Sequence, residues 1–353
     1  MFPHCSSYSR SIGQPVGIIC YLASQAKLAN IGGYVGEIWD VLSDPVWVSC
    51  WLRSVCTWFG GGRVRVGDCR PTKWPELGIV STQHRAPLKI GIGGLGAIGL
   101  TLARRLDDGI EGLMLTAVSA RDKDAACLRL SGFRQRVPVV TLSELAKECD
   151  VVVECAPAEV FNQVAEPVVR LGKVLIPVSV GGLLANWHLV EMAKATGARI
   201  NVPSGAVLGL DAVRAAALGE ITRVTIVTRK PPAGLAGAPH IEKHQIDLNS
   251  VEQPLKVFEG SARDGVAAFP ANVNVAAALG LAVIGPDQTW LEVWADPAVN
   301  RNTHSITVES DSARFELKIE NVPTDENPRT GRIVALSTLA ALKRLVDPLT
   351  VGT

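Results

Sequence analysis

No two of the eight cysteines stand at C-x-x-C spacing, so no zinc site is expected, and no metal of any kind is assigned. Charge of one sign is not in excess either: 35 Lys and Arg meet 34 Asp and Glu. That balance argues against a nucleic-acid or polyanion partner. Long apolar runs are missing too. Hydrophobic residues form 47% of the chain, yet no uninterrupted run is long enough to span a bilayer, and no membrane partner is expected. Pro15 to Ala26 is apolar but short, and lacks the charged flank and cleavage pattern of a signal peptide. Cys127, Cys149 and Cys155 lie in apolar surroundings and read as free thiols in a reducing, cytoplasmic setting.

The 353 residues suffice for two domains with their own cores. Residues 1 to about 80 differ from the rest. They hold five of the eight tryptophans and five of the eight cysteines, and show no sustained helical or strand period. They read as a poorly ordered extension, or as sequence that is not natural coding, with Val80 as an alternative start. The expected organisation is an extension over 1–84, a dinucleotide-binding domain over 85–207 joined by a returning helix at 331–353, and a catalytic domain over 208–330.

The stretch that organises the chain is Lys89 to Gly99. The apolar run Leu88 to Ile92 predicts a buried strand, and Ala97 to Leu106 predicts a helix. Between them Gly94, Gly96 and Gly99 satisfy G-x-G-x-x-G. The first glycine makes the tight turn, the second admits a pyrophosphate, and the third lets helix and strand approach. The helix N-terminus adds free N–H groups and partial positive charge. Strands at Leu113 to Ser119, Val151 to Ala156, Lys173 to Ser179 and Ala198 to Val202 alternate with helices at Leu142 to Lys147, Ala158 to Leu171 and Asn186 to Thr196. Thr141 or Ser143 is the cap expected for the first of these, and Pro167 is expected to kink or break the second. Gly181 and Gly182 read as the close of a strand. The pattern predicts a Rossmann-type doubly wound parallel sheet. Beyond Leu218, strands at Ile221 to Thr228, Thr289 to Ala295, Ser305 to Ser310 and Ala313 to Glu320, with helices at Val273 to Ile284 and Arg332 to Val346, predict a second α+β domain with a mostly antiparallel sheet. Lys230 to Gly234 reads as a loop.

An NAD enzyme usually places an acid on the ribose 2′-hydroxyl at the tip of the second strand. Here that tip is Ser119-Ala120-Arg121-Asp122, so Ser119 and Arg121 are candidates for a 2′-phosphate, with Asp122, one turn late, the alternative for the hydroxyl. The cofactor is NADP or NAD, with NADP favoured. Of six histidines, His304 stands out, where a polar loop enters a strand. A side chain there can reach a cleft and trade protons near neutrality. From residue type alone a structural role is equally good.

From about Lys89 onward the residues resemble the L-aspartate dehydrogenase family. The features in order are the Gly94 to Gly99 loop, the Pro203-Ser204-Gly205-Ala206 turn, Asn274, and Asp296-Pro297 followed by Arg301-Asn302-Thr303-His304. Lys230-Pro231-Pro232 and Asn327-Pro328-Arg329-Thr330 fit as well. The resemblance implies oxidation of L-aspartate to iminoaspartate by NAD or NADP. The product hydrolyses to oxaloacetate and ammonia or passes into NAD biosynthesis. It also implies that His304 is the active-site residue, and that the Ala206 backbone N–H and Asn274 bind the nicotinamide end. Lys230, Arg301 and Arg329 are the candidate cations for the substrate carboxylates. A homodimer through the second sheet is expected. The rival readings are a dehydrogenase of another small acid, of homoserine or dihydrodipicolinate type, and an NADPH-binding sensor without turnover.

Overall fold

The computed structural model describes residues 86–270, 273–327 and 330–352. The readings of residues 1 to about 80, and of Arg329, lie outside those residues. The first sheet is parallel, in the order β2-β1-β3-β4-β5, built from Leu88–Gly93 (β1), Leu113–Ser119 (β2), Val151–Glu154 (β3), Val174–Pro177 (β4) and Arg199–Ile200 (β5). Its strands are apolar because both faces are covered. Val151 and Val153 join one core and Val152 the other, as alternation across a strand demands.

One face packs on Ala97–Asp107 (α1), Lys123–Leu130 (α2) and Arg332–Lys343 (α11) through Leu102, Leu130 and Leu342. The other packs on Leu142–Glu148 (α3), Phe161–Arg170 (α4), Val180–Ala185 (α5) and His188–Thr196 (α6) through Leu145, Phe161, Leu183 and Leu189. Phe161 is fully buried, and truncating such a side chain costs roughly 3–5 kcal/mol. Thr141 caps α3 in a reciprocal capping box with Glu144.

Two local expectations are overturned here. Pro167 sits inside an unbroken α4, with a single 3-10 turn at Ala158–Val160 ahead of it. Gly181 and Gly182 lie within α5. A Cβ on Gly182 would stand 2.7 Å from the Phe161 ring, so glycine is there for close packing and not for a chain break.

The second sheet has the order β10-β9-β6-β8-β7. It comprises Ile221–Lys230 (β6), Leu255–Ser261 (β7), Thr289–Ala295 (β8), Thr303–Ser310 (β9) and Arg314–Glu320 (β10). All neighbours are antiparallel except β6 and β8. The inner face, including Val224, Ile226, Leu291, Val293, Ile306 and Val308, packs on Asn274–Ala282 (α10) and on Phe269, which follows Ala262–Ala268 (α9). Leu210–Ala216 (α7) and Pro239–Lys243 (α8) complete the α-helices among the described residues. β7 escapes a reading of periodicity because it is an edge strand with a bulge, and Val257 alone in it is fully buried.

Candidate active site

The dinucleotide crevice of an open parallel sheet lies where the strand order reverses, outside the carboxyl ends. Here that point falls between β1 and β3. Gly94 has φ 108°, and a Cβ on it would stand 2.6 Å from the Cys155 carbonyl oxygen. A Cβ on Gly99 would stand 2.0 Å from the Gly94 carbonyl oxygen. By contrast nothing lies within 4 Å of a Cβ placed on Gly96. Two glycines are forced by the turn and the helix, and the third leaves backbone open to a ligand. The cradle fits the diphosphate of a dinucleotide.

At the tip of β2, Ser119 is buried, and its carbonyl oxygen accepts from the Gly94 N–H at 2.8 Å. Arg121 is exposed beside it. Asp122 caps α2, with Oδ1 accepting from the Ala125 N–H at 2.9 Å. Arg129 on α2 donates from Nη1 to the Leu95 carbonyl oxygen at 2.8 Å and ties this helix to the glycine loop.

A cavity of about 120 Å³ opens between the two sheets. Its walls include Ile98 from α1, the Pro203–Ala206 turn, Asn274, Lys230 and His304. Asn274 begins α10, and its Oδ1 accepts from the Gly181 N–H at 3.0 Å, joining the helix of one sheet to the helix of the other. Ala206 is buried in a turn where Gly205 takes φ 60°, a left-handed conformation that suits glycine.

Lys230 is a strand residue, contrary to its loop reading, whereas His304 stands where the polar loop enters a strand, as read. β6 runs on to Lys230, and Pro231, lacking an N–H, ends it. Period-2 alternation then places Lys230 on the inner face with Val224, Ile226 and Thr228, and it is 3% exposed. β9 starts at Thr303, so His304 is also held inward, paired in register with Thr228. Its Nδ1 lies 3.0 Å from Thr228 Oγ1. Burial, and after it the Lys230 ammonium, push the imidazole down to about 3. The ring is therefore neutral at pH 7, and Nε2 can accept a proton when Nδ1 carries the hydrogen toward Thr228.

The loop before His304 is anchored by Asp296, which is nearly fully buried. It pairs with Arg229 Nη1 at 3.0 Å and accepts from the Ala298 N–H at 2.9 Å, while its own N–H donates to the Lys230 carbonyl oxygen. Arg301 lies outside the cavity wall. Its Nε donates to Asn300 Oδ1, and its charge helps lower the Glu320 carboxyl after the larger effect of Lys318. The structure thus brings Ala206, Asn274, Lys230 and His304 together, and leaves Arg301 aside.

Three contributors carry no motif. Thr228 looks like one more β-branched strand residue. Asn321 is 4% exposed in the cavity wall, with an Oδ1 that has no partner among the described residues. Glu154 ends β3, fully buried; burial pushes its carboxyl up to about 7 against the pull of the Ser179 and Ala156 donors. An acid closing a run of three valines was the one legible signal for it.

The sequence and fold have relatives. Residues 211–345 match the family model for the C-terminal part of aspartate dehydrogenase, and residues 94–203 match the NAD-binding domain of homoserine dehydrogenase. The chain is 51% identical over 266 residues to an L-aspartate dehydrogenase of Bradyrhizobium diazoefficiens, covering 75% of this chain and 94% of the relative. It is 49% identical over 270 residues to L-aspartate dehydrogenase 3 of Bordetella bronchiseptica, covering 76% and 99%. Among solved structures it resembles the aspartate dehydrogenase of Thermotoga maritima, with 26% identity and a TM-score of 0.58, over 75% of this chain and 99% of that one.

Proposed function

The chain belongs to the L-aspartate dehydrogenase family, and we propose that it oxidises L-aspartate to iminoaspartate, with NADP or NAD as hydride acceptor, and runs the reverse amination. The observation that carries this reading is the neutral, buried His304 in one cavity with the Lys230 ammonium, Ala206 and Asn274. The homoserine alternative has less support. The model bearing that name spans only residues 94–203, whereas the half with His304 and Lys230 matches the aspartate model.

In the proposed mechanism the glycine loop and the N-terminus of α1 hold the diphosphate. The Ala206 N–H orients the nicotinamide amide, and Asn274 fixes the approach of α5 to the cavity. Lys230 binds a substrate carboxylate by a charge-assisted bond in a site of low dielectric. His304 Nε2 takes a proton from the substrate ammonium, which frees the nitrogen lone pair needed for a C=N bond. Substrate carboxylates offset the Lys230 charge and raise the imidazole toward its ordinary range as the proton arrives. Asp296, through Arg229 and Ala298, keeps the loop that leads into His304 in place.

The finer parts of the reading are these. Ser119 and Arg121 receive a 2′-phosphate, so NADP is preferred. The iminoaspartate formed serves pyridine nucleotide biosynthesis or hydrolyses to oxaloacetate and ammonia. The free thiols of Cys127, Cys149 and Cys155 suit the cytoplasm. A homodimer forms over the outer face of the second sheet, where Trp290 is 44% exposed.

An absorbance assay at 340 nm tests the reaction, with L-aspartate and either NADP or NAD, and with oxaloacetate and ammonium in reverse. Turnover of aspartate is expected. Turnover of homoserine with none of aspartate would overturn the substrate.

A further inference from the structure

The proposed mechanism leaves one buried carboxylate unused, that of Glu154. It is fully buried, yet three donors surround it. Its Oε1 accepts from the Ala156 N–H at 2.9 Å, and its Oε2 accepts from the Ser179 N–H at 3.0 Å. Ser179 Oγ lies 3.1 Å from Oε1 and 3.2 Å from the Ala156 carbonyl oxygen, so its hydrogen serves these two acceptors. The residue stands at the strand-order reversal, in register with Gly93 of β1 and Pro177 of β4.

Each group that the carboxylate holds forms part of the crevice. The Cys155 carbonyl oxygen and Ala156 nitrogen back the glycine turn, 2.6 and 2.9 Å from where a Gly94 Cβ would stand. Ser179 lies between Val178 and Val180, both in the cavity wall beside His304. Gly181, two residues on, is gripped from the other sheet by Asn274. We infer that Glu154 is a positioning residue for the dinucleotide, joining the turn that backs the diphosphate loop to the turn that walls the nicotinamide end. The inference rests on the dehydrogenase reading only in taking a dinucleotide as the occupant of the crevice.

The chemistry is selective. Beyond the ladder bond from the Val178 N–H to the Glu154 carbonyl oxygen at 3.0 Å, the turns that follow these two strand ends are tied by the Glu154 carboxylate and the Ser179 hydroxyl. A glutamine has the same shape, but its NH₂ would face an N–H donor, leaving the pair unmatched. Loss of the side-chain tie loosens the separation of the two turns, which a ligand spanning both senses more strongly than one bound beside His304 alone.

The test measures dissociation constants for NADPH and NADH from the fluorescence of the bound reduced nicotinamide, on the full chain as wild type, Glu154→Gln and Ser179→Ala. KM for aspartate and melting temperature are measured alongside. Glu154→Gln is expected to weaken reduced-nucleotide binding about tenfold and Ser179→Ala about threefold, from one and from part of one mismatched buried bond. KM for aspartate at saturating cofactor should stay within about twofold. An unchanged dissociation constant in folded Glu154→Gln protein overturns the inference. If that variant does not fold, an unchanged constant in Ser179→Ala overturns it. An equal rise in the aspartate KM also overturns it, because that marks a general loosening. Wild-type protein that binds NADPH without oxidising aspartate sinks the proposed reaction alone, since the binding comparison still decides the role of Glu154. Wild-type protein that binds neither nucleotide sinks both.

Discussion

Thr228 and His304 face each other across the β6–β9 pair, with Oγ1 and Nδ1 3.0 Å apart. The bond selects which imidazole nitrogen is left to meet the substrate. Thr228→Val keeps the shape and removes the hydroxyl. It should lower kcat about tenfold, by leaving a buried ring nitrogen without its partner. His304→Ala should lower kcat roughly 10²–10⁴-fold, the range for a single acid–base group. Both variants should keep the wild-type NADPH dissociation constant by fluorescence titration. An unaltered kcat in His304→Ala would remove the residue from the chemistry.

Lys230 is the buried cation of the cavity. Lys230→Met preserves the aliphatic stem and deletes the charge. The expected result is a fall in kcat/KM for aspartate of about 10- to 100-fold, as for a lost charge-assisted bond. An alkaline shift of the histidine limb in the pH profile of kcat/KM would accompany it, because burial still depresses His304 but the ammonium that adds to it is gone. Steady-state assays across pH read both effects, and an unmoved acid limb would count against the pairing.

Stability should depend on pH through the same histidine. The unfolded chain takes up a proton at His304 near its ordinary pKa, whereas the folded protein does so only near 3. The contribution of His304 is therefore complete above about pH 6.5 and is lost as the pH falls toward 3. Glu154 acts in the opposite sense. Its folded carboxyl is raised to about 7, so its cost is largest above pH 7 and fades as the pH falls toward the unfolded value of 4.5. Urea unfolding at pH 4.5, 5.5 and 7.5 should show wild type losing ground to His304→Asn on acidification. A constant difference between the two proteins across that range would refute the assignment.

Arg121 is exposed at the tip of β2, while Asp122 is engaged in capping α2. Arg121→Asp should shift the ratio of kcat/KM values from NADP toward NAD by tenfold or more, through the loss of one charged bond to a 2′-phosphate. The ratio, measured with both nucleotides at fixed aspartate, should not change if Arg121 is only a solvated loop residue.

Much of the fold is legible in particular residues. Val151 to Val153 is uniformly apolar because a central parallel strand is covered on both sides. The Gly94 to Gly99 spacing works because two of its glycines have no room for a Cβ and the third has open space. Other elements resist such reading. β7 is an exposed edge, so burial writes almost no alternation into it. The glycines of α5 look like a break until the Phe161 ring against Gly182 and the Val266 side chain against Gly181 are seen. The candidate site divides in the same way. His304 stands out in the sequence and Asn274 only through the family resemblance, but the inward set of Lys230 follows from β6 running two residues further than its β-branched run suggests.

Local pattern by itself determined most of the strand and helix types, the glycine loop, the two-sheet organisation and the histidine in its segment. Those depend on periodicity, on backbone freedom and on residue chemistry, all of which act over a few neighbours. Tertiary structure alone decided that Thr228 orients His304, that Lys230 lowers its proton affinity, that Asn274 reaches Gly181, and that Glu154 joins Ala156 to Ser179. Each of these is a contact between strands or helices distant in the chain, or a charge whose strength depends on burial. Register and desolvation set them, and neither exists until the two sheets have packed.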